Sequence, residues 1–322
     1  MTPRPGRRAA AASWLAAMLV AVFALGGCAA PQTAALMAPA GTPAAFATGL
    51  PRQARVADVP FHGQDEDQCG PAALAMALGA IGRGRSLQSL RDEVYLPARR
   101  GTLQAEMLAL PRREGLLAIP LPGQVAALLR AVADGYAVVV FQNLGLSIMP
   151  VWHYAVMVGY DLDAGRIVLH SGQSASLAMS LSTFERTWAR GGYWAMIVTT
   201  PQRIPAAAAA RDVLRAAVAL GRSDPEAALA AFRTLHERTP GDRLNAFAFA
   251  NAQLAAGQVG DAVRTYRELL DRHPDFADGW NNLAEALARA GEPAAAREAA
   301  GRAISIGGPG LPTYRETATR LR

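Results

Sequence analysis

The sequence predicts an α+β domain followed by an all-α repeat region. Two apolar stretches with helical character precede four short β-rich runs: 70–81 and 123–133, then 137–143, 154–160, 166–169 and 193–199. Helices followed by an antiparallel sheet are typical of the α+β class. From about residue 206 the strand-like runs disappear, Ala, Leu, Arg and Glu dominate, and similar residues recur at a spacing of 34. This period predicts a stack of helical repeats.

Residues 1–27 predict a secretory signal. Arg4, Arg7 and Arg8 precede an uncharged run from Ala9 to Gly27, which is the order of a charged n-region, an apolar h-region and a small-residue cleavage site. The apolar run is also near the lower length limit for a membrane span. A transmembrane anchor is therefore the competing interpretation.

Cys28 follows this run directly. The tetrapeptide Leu25-Gly26-Gly27-Cys28 resembles the bacterial lipobox, which implies that the thiol of Cys28 is lipidated and that cleavage makes this residue the new N-terminus. Ala29 stands where an Asp would favour inner-membrane retention in the bacterial lipoprotein family. For a Gram-negative host the resemblance implies an outer-membrane anchor facing the periplasm. More than one acyl chain would hold the protein firmly, because a single chain gives only marginal binding.

The rest of the composition restricts the functional classes. Residues 28–55 are rich in Ala, Pro, Thr and Gly, which predicts a flexible tether. All basic residues are Arg, and the three in the signal leave 29 against 26 acidic residues, a net charge of about +3. These arginines are scattered without interleaved aromatic residues, so we expect no nucleic-acid partner.

Residues 56–201 are predicted to form the α+β domain, since about 145 residues suffice for one core. Within it, the segment Tyr160–Arg166 contains Asp, Ala and Gly between two β-rich runs and predicts a hairpin turn.

Residues 206–322 are predicted to form the repeats. Equivalent positions at the 34-residue spacing are Pro240 and Pro274, Ala228, Ala262 and Ala296, Phe232 and Tyr266, and Gly257 and Gly291. This pattern resembles tetratricopeptide repeats, with units at about 209–242, 243–276 and 277–310 and a capping helix at 311–322. The alternative is a generic helical bundle. Stacked repeats present a concave surface that binds an extended or helical peptide, so a protein partner is expected.

Cys69 is the candidate nucleophile. It begins the run Cys69-Gly70-Pro71-Ala72, and Pro71 suits the first turn of a helix. A thiol at a helix N-terminus lies at the positive end of the helix dipole, so we expect its pKa to fall and its thiolate to be reactive. Gly70 is expected to let a substrate carbonyl approach the backbone. The alternative is that Cys69 is a small buried apolar residue.

Two further residues favour catalysis. Gln64, five positions before Cys69, carries an amide that can donate to an oxyanion. His153 opens an apolar strand 84 residues after Cys69, where a general base can face the nucleophile. Taken singly, each residue has an ordinary structural interpretation, as a solvated loop amide and as a half-buried strand histidine.

Together, Gln64, Cys69-Gly70-Pro71-Ala72 and His153-Tyr154-Ala155-Val156 resemble the bacteriocin-processing, double-glycine leader peptidases of the papain-like clan. The resemblance covers roughly residues 56–200. It implies a papain-like cysteine peptidase fold, with an N-terminal helix bearing the Cys and an antiparallel sheet bearing the His. It also implies Gln64 as oxyanion donor, Cys69 as nucleophile and His153 as base.

One position departs from the family pattern. The family places an Asp after the next strand, where this chain has His170, so His170 is a doubtful third member. Ser171 or Gln173 are the alternatives, and the site then works as a Cys–His dyad with a polar helper. A metal site built on His153 and His170 has no carboxylate or Cys companion at useful spacing. No cofactor and no metal are therefore predicted.

The sequence favours a membrane-anchored periplasmic cysteine peptidase that cleaves a peptide or protein through a thioester at Cys69, with repeats that recruit substrate. The alternative is a non-catalytic scaffold lipoprotein that uses a degenerate papain-like domain for peptide binding. An acyltransferase that uses the same thioester also stays open.

Overall fold

A computed structural model describes residues 30–38, 49–64 and 67–321. The predicted signal and the predicted lipidation site Cys28 lie outside the described residues.

A seven-stranded antiparallel sheet forms the centre of the first domain. Its strands are β1 (Gln53–Arg55), β2 (Leu117–Pro120), β3 (Val138–Asn143), β4 (Trp152–Asp161), β5 (Arg166–Ser171), β6 (Ser174–Ser180) and β7 (Ala195–Thr199). The strand order is β2-β7-β3-β4-β5-β6, and β1 pairs with residues 159–161 of β4. The predicted hairpin turn is confirmed, because β4 and β5 pair in antiparallel register on either side of it.

Helices cover both faces of this sheet. The first domain contains α1 (Pro31–Leu36), α2 (Cys69–Gly79), α3 (Leu87–Val94), α4 (Gln104–Arg113), α5 (Val125–Ala133) and α6 (Leu181–Arg190). One core lies between the sheet and α2, α3 and α4, and a second lies on the other face with α5 and α6.

Strand β4 shows how the two cores alternate along the chain. Tyr154 and Val156 face the core that contains α2, whereas Ala155 and Met157 face the core that contains α5. Successive side chains of a strand point to opposite faces. A strand buried on both faces is a continuous apolar run, which is why this segment is apolar throughout.

The predicted α+β class is confirmed. The residue patterns did not indicate α3, α4, β2, β6 or α6. Strand β2 has only four residues, and α4 contains Pro111, which weakens its helical pattern. Helix α6 has a recognisable start, because Ser180 caps it by accepting a hydrogen bond from the amide of Thr183.

Two parts of the segment 28–55 are ordered. Strand β1 joins the sheet, and α1 is held on α6 by Glu185, whose carboxylate accepts hydrogen bonds from the amides of Gln32 and Thr33 at 2.9 and 2.6 Å. Glu185 is buried, so these bonds satisfy its charge. The prediction of a flexible tether therefore does not hold for residues 31–36 and 53–55, because composition carries no information on contacts with distant residues.

Seven helices follow the first domain. They are α7 (Ala210–Leu220), α8 (Pro225–Arg238), α9 (Arg243–Ala255), α10 (Val259–Arg272), α11 (Ala277–Arg289), α12 (Pro293–Ile306) and α13 (Leu311–Arg320). Consecutive helices pack as three hairpins, with α13 packed on α12.

The first hairpin shares a core with the sheet domain. Val213, Ala217 and Leu220 of α7 and Phe232 of α8 belong to the apolar cluster that contains Leu117 of β2. Ser223, between α7 and α8, donates a hydrogen bond to the carbonyl of Arg112 at 2.9 Å. The helices α9 to α12 form a second cluster, although Phe249 of α9 belongs to the first. The boundary between the two cores therefore lies inside the repeat region, at α9.

None of the helices in the described ranges combines the length and apolar character needed to cross a membrane.

Candidate active site

Cys69 lies at the first residue of α2. This helix is buried on all sides, because its residues from Gly70 to Leu78 pack between the sheet and α3 and α4. Pro71 occupies the first turn, where its missing N–H breaks no helical hydrogen bond. The amides of Cys69, Gly70 and Tyr154 lie near the sulfur. The sheet and the helix N-terminus thus meet at the thiol.

The pKa of the Cys69 thiol is raised, contrary to the sequence-based expectation. Burial is the largest cause, and the nearby carboxylate of Asp67 adds to it. Hydrogen bonds from the three amides lower the pKa but do not outweigh the burial. The expected decrease was inferred from the helix N-terminus alone, and a sequence does not show how far a side chain is removed from water.

His153, the second residue of β4, is oriented by Ser171. Its Nε2 lies 2.9 Å from Oγ of Ser171, which ends β5. When Nε2–H donates to Ser171, Nδ1 carries the lone pair that a general base needs. Burial lowers the pKa of His153. In the resting site the imidazole is therefore neutral and the thiol protonated, and no hydrogen bond joins Cys69 to His153 among the described residues.

His170 does not contact His153. Its Nε2 lies 3.3 Å from the carbonyl oxygen of Val59, and its ring packs edge-on against Phe61. Val156 is the register partner of His170 on β4, and both lie on the sheet face that bears α2. Ser171, one residue later, lies on the opposite face. Ser171, and not His170, therefore contacts His153, because adjacent residues of a strand point to opposite faces.

Gln64 bridges the ends of β4 and β5. Its Nε2 donates to the carbonyl of Tyr154 at 3.4 Å, and its Oε1 accepts from the amide of Gly172 at 3.1 Å. The side chain is buried. These two bonds fix the amide plane and leave the second N–H of Nε2 without a partner among the described residues. Gln173, the other alternative for the third position, donates to the carbonyl of Gln64 instead.

Gln64, Cys69 and His153 line one open cleft of about 840 Å³. Its walls include Phe141 and Trp152, whose rings stack at 5.3 Å, and the exposed residues Arg99 and Arg100. The ion pair between Arg100 and Asp67 (3.1 Å) joins the wall that carries the arginines to the loop before α2. The cleft is large enough for several residues of an extended peptide. In the described ranges, no three His, Cys, Asp or Glu side chains cluster in a way that could hold a metal ion.

The role expected for Gly70 is also corrected. A Cβ at this position would lie 2.5 Å from Oγ1 of Thr102, so the space beside Gly70 is filled by the cleft wall. Thr102 also accepts a hydrogen bond at its carbonyl from Tyr154 at 3.3 Å. Gly70 therefore permits close packing of residue 102 against the helix. Nothing in the sequence indicates this contact, which joins positions 32 residues apart.

The raised pKa of Cys69 predicts slow alkylation at neutral pH. In a chain with Cys28→Ser, we expect the rate of reaction with iodoacetamide to keep rising as the pH passes the ordinary thiol value of 9.0, because the thiolate forms only above it. The same chain unfolded in denaturant is the control, and it should react faster at about pH 7. A rate that is already constant below about pH 8 in the folded chain would instead indicate a thiolate–imidazolium pair.

Comparison with known families agrees with this fold. Residues 56–196 match the family described as Peptidase_C39 like, and residues 247–312 match the tetratricopeptide repeat family. The first domain therefore resembles a C39-like peptidase domain, and residues 247–312 resemble tetratricopeptide repeats. The second match begins after the hairpin that shares the core of the sheet domain. No curated protein matches the chain.

Solved structures are similar to each part. The peptidase domain of Streptococcus ComA, a bi-functional ABC transporter involved in quorum sensing, is 19% identical (TM-score 0.36) over 44% of this chain and 98% of its own. The Yersinia enterocolitica type III secretion chaperone SycD, in complex with a peptide of the translocator YopD, is 21% identical (TM-score 0.31) over 34% and 85%. MamA is 16% identical (TM-score 0.32) over 35% and 66%, so this chain spans slightly less than two thirds of MamA.

Proposed function

We propose that the protein is a cysteine peptidase of the bacterial cell envelope that cleaves a peptide or protein substrate through a thioester at Cys69. The observation that carries the proposal is the cleft in which Cys69, His153 and Gln64 meet, with the imidazole of His153 held by Ser171. Nucleophile, base and orienting group are the three parts that nucleophilic catalysis requires.

The neutral resting pair determines the order of events. As a substrate carbonyl enters the cleft, Nδ1 of His153 takes the proton of Cys69 while Sγ attacks the carbon. The oxyanion accepts hydrogen bonds from the second N–H of the Gln64 side chain and from the backbone amides at the start of α2. His153 then returns its proton to the leaving amine, which leaves an acyl thioester on Cys69. Water, deprotonated by His153, hydrolyses the thioester and restores the thiol.

The repeats are the proposed binding site for a protein partner. Stacked helical hairpins bind peptides on their concave surface. Because α7 and α8 share the core of the peptidase domain, the first hairpin of the repeats is joined to the domain that carries the cleft. We propose that the repeats recruit the protein that is cleaved or a partner that delivers it.

The location follows from the lipobox-like sequence alone. We propose that Cys28 is lipidated and that the protein is anchored to the outer membrane, facing the periplasm. Mass spectrometry of the N-terminal peptide should show acyl groups on Cys28, and an unmodified Cys28 in the mature chain would exclude this anchor.

The test of catalysis uses substrate capture. The Cys69→Ala chain is expected to retain its protein partner on a column, and the wild-type chain is expected to cleave that partner, whereas Cys69→Ala leaves it intact over the same period. The new termini, read by mass spectrometry, give the cleavage site. A partner that Cys69→Ala cleaves as fast as wild type would refute the proposal.

The scaffold function remains the second candidate because two observations favour it. The thiol is not activated at rest, since its pKa is raised, and the third position carries Ser171 rather than a carboxylate. If this candidate is right, the partner binds to wild type and Cys69→Ala alike and is cleaved by neither. A transacylase would instead join the captured acyl group to an amine, which shows as a product heavier than the substrate.

A further inference from the structure

An apolar tip projects beside the cleft. Six exposed large apolar side chains lie within nine consecutive residues: Leu144, Leu146, Ile148, Met149, Val151 and Trp152. We call these six side chains the apolar tip. Ile148 is 85% exposed and Met149 is 72% exposed, so neither contributes to the core. Single exposed apolar residues are ordinary, but a contiguous group indicates a contact surface.

Hydrogen bonds within the loop support the segment that carries the tip. The buried side chain of Asn143 accepts hydrogen bonds from the amides of Gly145 and Val151, both at 2.9 Å. The amide of Leu144 donates to the carbonyl of Val151, and Leu146 forms an isolated bridge with Met149. Much of the loop backbone is thus hydrogen-bonded internally. It can enter a low-dielectric phase at a smaller cost than a loop whose amides depend on water.

Most of the tip does not line the catalytic cleft. Val151 and Trp152 line the cleft, but Leu144, Leu146, Ile148 and Met149 do not. A peptide lying in the cleft would therefore leave these four side chains exposed. An exposed apolar turn suits insertion into a fluid apolar phase, which needs no matching pocket.

Arginines and an aromatic ring lie near the tip, as is typical of a surface that binds lipid. The exposed residues Arg99 and Arg100 line the cleft together with Val151 and Trp152, and Asp67 neutralises part of their charge. Arg190 lies at the base of the loop and donates to the carbonyl of Asn143 at 3.0 Å. Arginines attract anionic headgroups, and Trp152, at the border of the tip, is a residue type enriched at membrane–water interfaces.

Helix α1 packs along α6, whose last residue is Arg190. Helix α1 runs antiparallel to α6. The amides of Gln32 and Thr33 donate to the carboxylate of Glu185. The methyl group of Met37 lies near Gly165, whose carbonyl accepts a hydrogen bond from the amide of Leu181 at the start of α6. Ala30, the first described residue of this helix segment, is therefore directed toward the end of α6 at Arg190, where the tip lies.

We propose that the apolar tip docks into an anionic lipid surface and holds the mouth of the catalytic cleft against the membrane. The substrate would then be presented at or near the lipid surface rather than from bulk solution. The docking is independent of the acyl group on Cys28 and of catalysis by Cys69.

The test compares matched variants of the full chain with Cys28→Ser. Vesicles of phosphatidylcholine with a minority of phosphatidylglycerol are floated with each variant. Because two large apolar side chains leave the lipid, Ile148→Ser with Met149→Ser is expected to reduce the partition coefficient about tenfold or more. The control, Val218→Ser with Leu244→Ser, replaces two half-exposed apolar residues of the repeats. It should change partition by less than about twofold, and Cys69→Ala should have no effect.

All variants share the N-terminal apolar run, which can itself bind to the vesicles. A second measurement therefore tests the insertion of the tip directly. Brominated lipids should quench Trp152, and Trp152→Phe should remove that part of the quenching. Equal partition of the tip variant and the control, or unchanged quenching in Trp152→Phe, would overturn the proposal. A tip variant that floats normally but no longer dimerises would also overturn the proposal, because the tip would then bind a second copy. The same holds for a tip variant that floats normally but no longer cleaves, because the tip would then bind the substrate.

Discussion

Replacing His153 by Ala is expected to slow cleavage of the captured substrate by about 10²–10⁴-fold, the contribution that a positioned general base makes. The loss should be large because the Cys69 thiol is protonated at rest, so its attack depends on proton removal during the reaction. A preformed thiolate would still attack without the imidazole. The measurement is kcat/KM at a fixed pH, with thermal unfolding recorded for each variant.

Two neighbouring substitutions serve as matched controls. Ser171→Ala removes the hydrogen bond that orients the imidazole and should cost about tenfold in kcat/KM, because the ring can then rotate away from the thiol. His170→Ala should alter kcat/KM by less than about threefold, since His170 lies on the opposite face of the sheet. The reverse order, with His170→Ala the more damaging, would restore His170 as third member and refute the role of Ser171.

The Val213→Asp chain is expected to lose about 3–5 kcal/mol of stability, and the loss should extend across the peptidase domain. Val213 is fully buried in the cluster that joins α7 to the sheet, so an Asp there would be an unpaired buried charge. Hydrogen exchange should speed up in β2 as well as in α7 and α8, because the hairpin and the sheet share one core.

Leu287→Asp is the matched control for this effect. Leu287 is also buried, but it belongs to the separate cluster formed by α9 to α12. Exchange should speed up in α11 and α12 and stay unchanged in β2. Normal protection of β2 in Val213→Asp would show that the first hairpin is an independent unit and that the shared core contributes little to the peptidase domain.

The vesicle comparison and the cleavage assay together separate location from chemistry. A chain that cleaves but does not dock would act on a soluble substrate, whereas a chain that docks but does not cleave would be a membrane-bound scaffold. The two properties depend on different residues, His153 and Ile148, so each can be removed alone.

Local pattern was sufficient for much of this protein. Residue type distinguished the helix at Cys69 from the strand at His153. Pro71 suits a first helical turn and no β-branched residue occurs from Gly70 to Ala80, whereas the run 154–160 is β-rich. The spacing of 34 predicted paired helices, since each repeat places its buried small and aromatic residues at the same point of a helical hairpin. These signals depend on neighbours within one element or one repeat, and a sequence records them directly.

Contacts between distant segments were decided only by the tertiary structure. The sequence indicated a reactive thiol from its helix position, but the surrounding packing removes Cys69 from water and raises its pKa. The sequence offered His170, Ser171 and Gln173 as the residue that orients His153. The orientation of the side chains on β5 selects Ser171, because a shift of one residue moves a side chain to the other face. The exposure of Ile148 and the core shared by Val213 and Leu117 likewise depend on which surfaces meet, and a linear pattern of residues does not specify that.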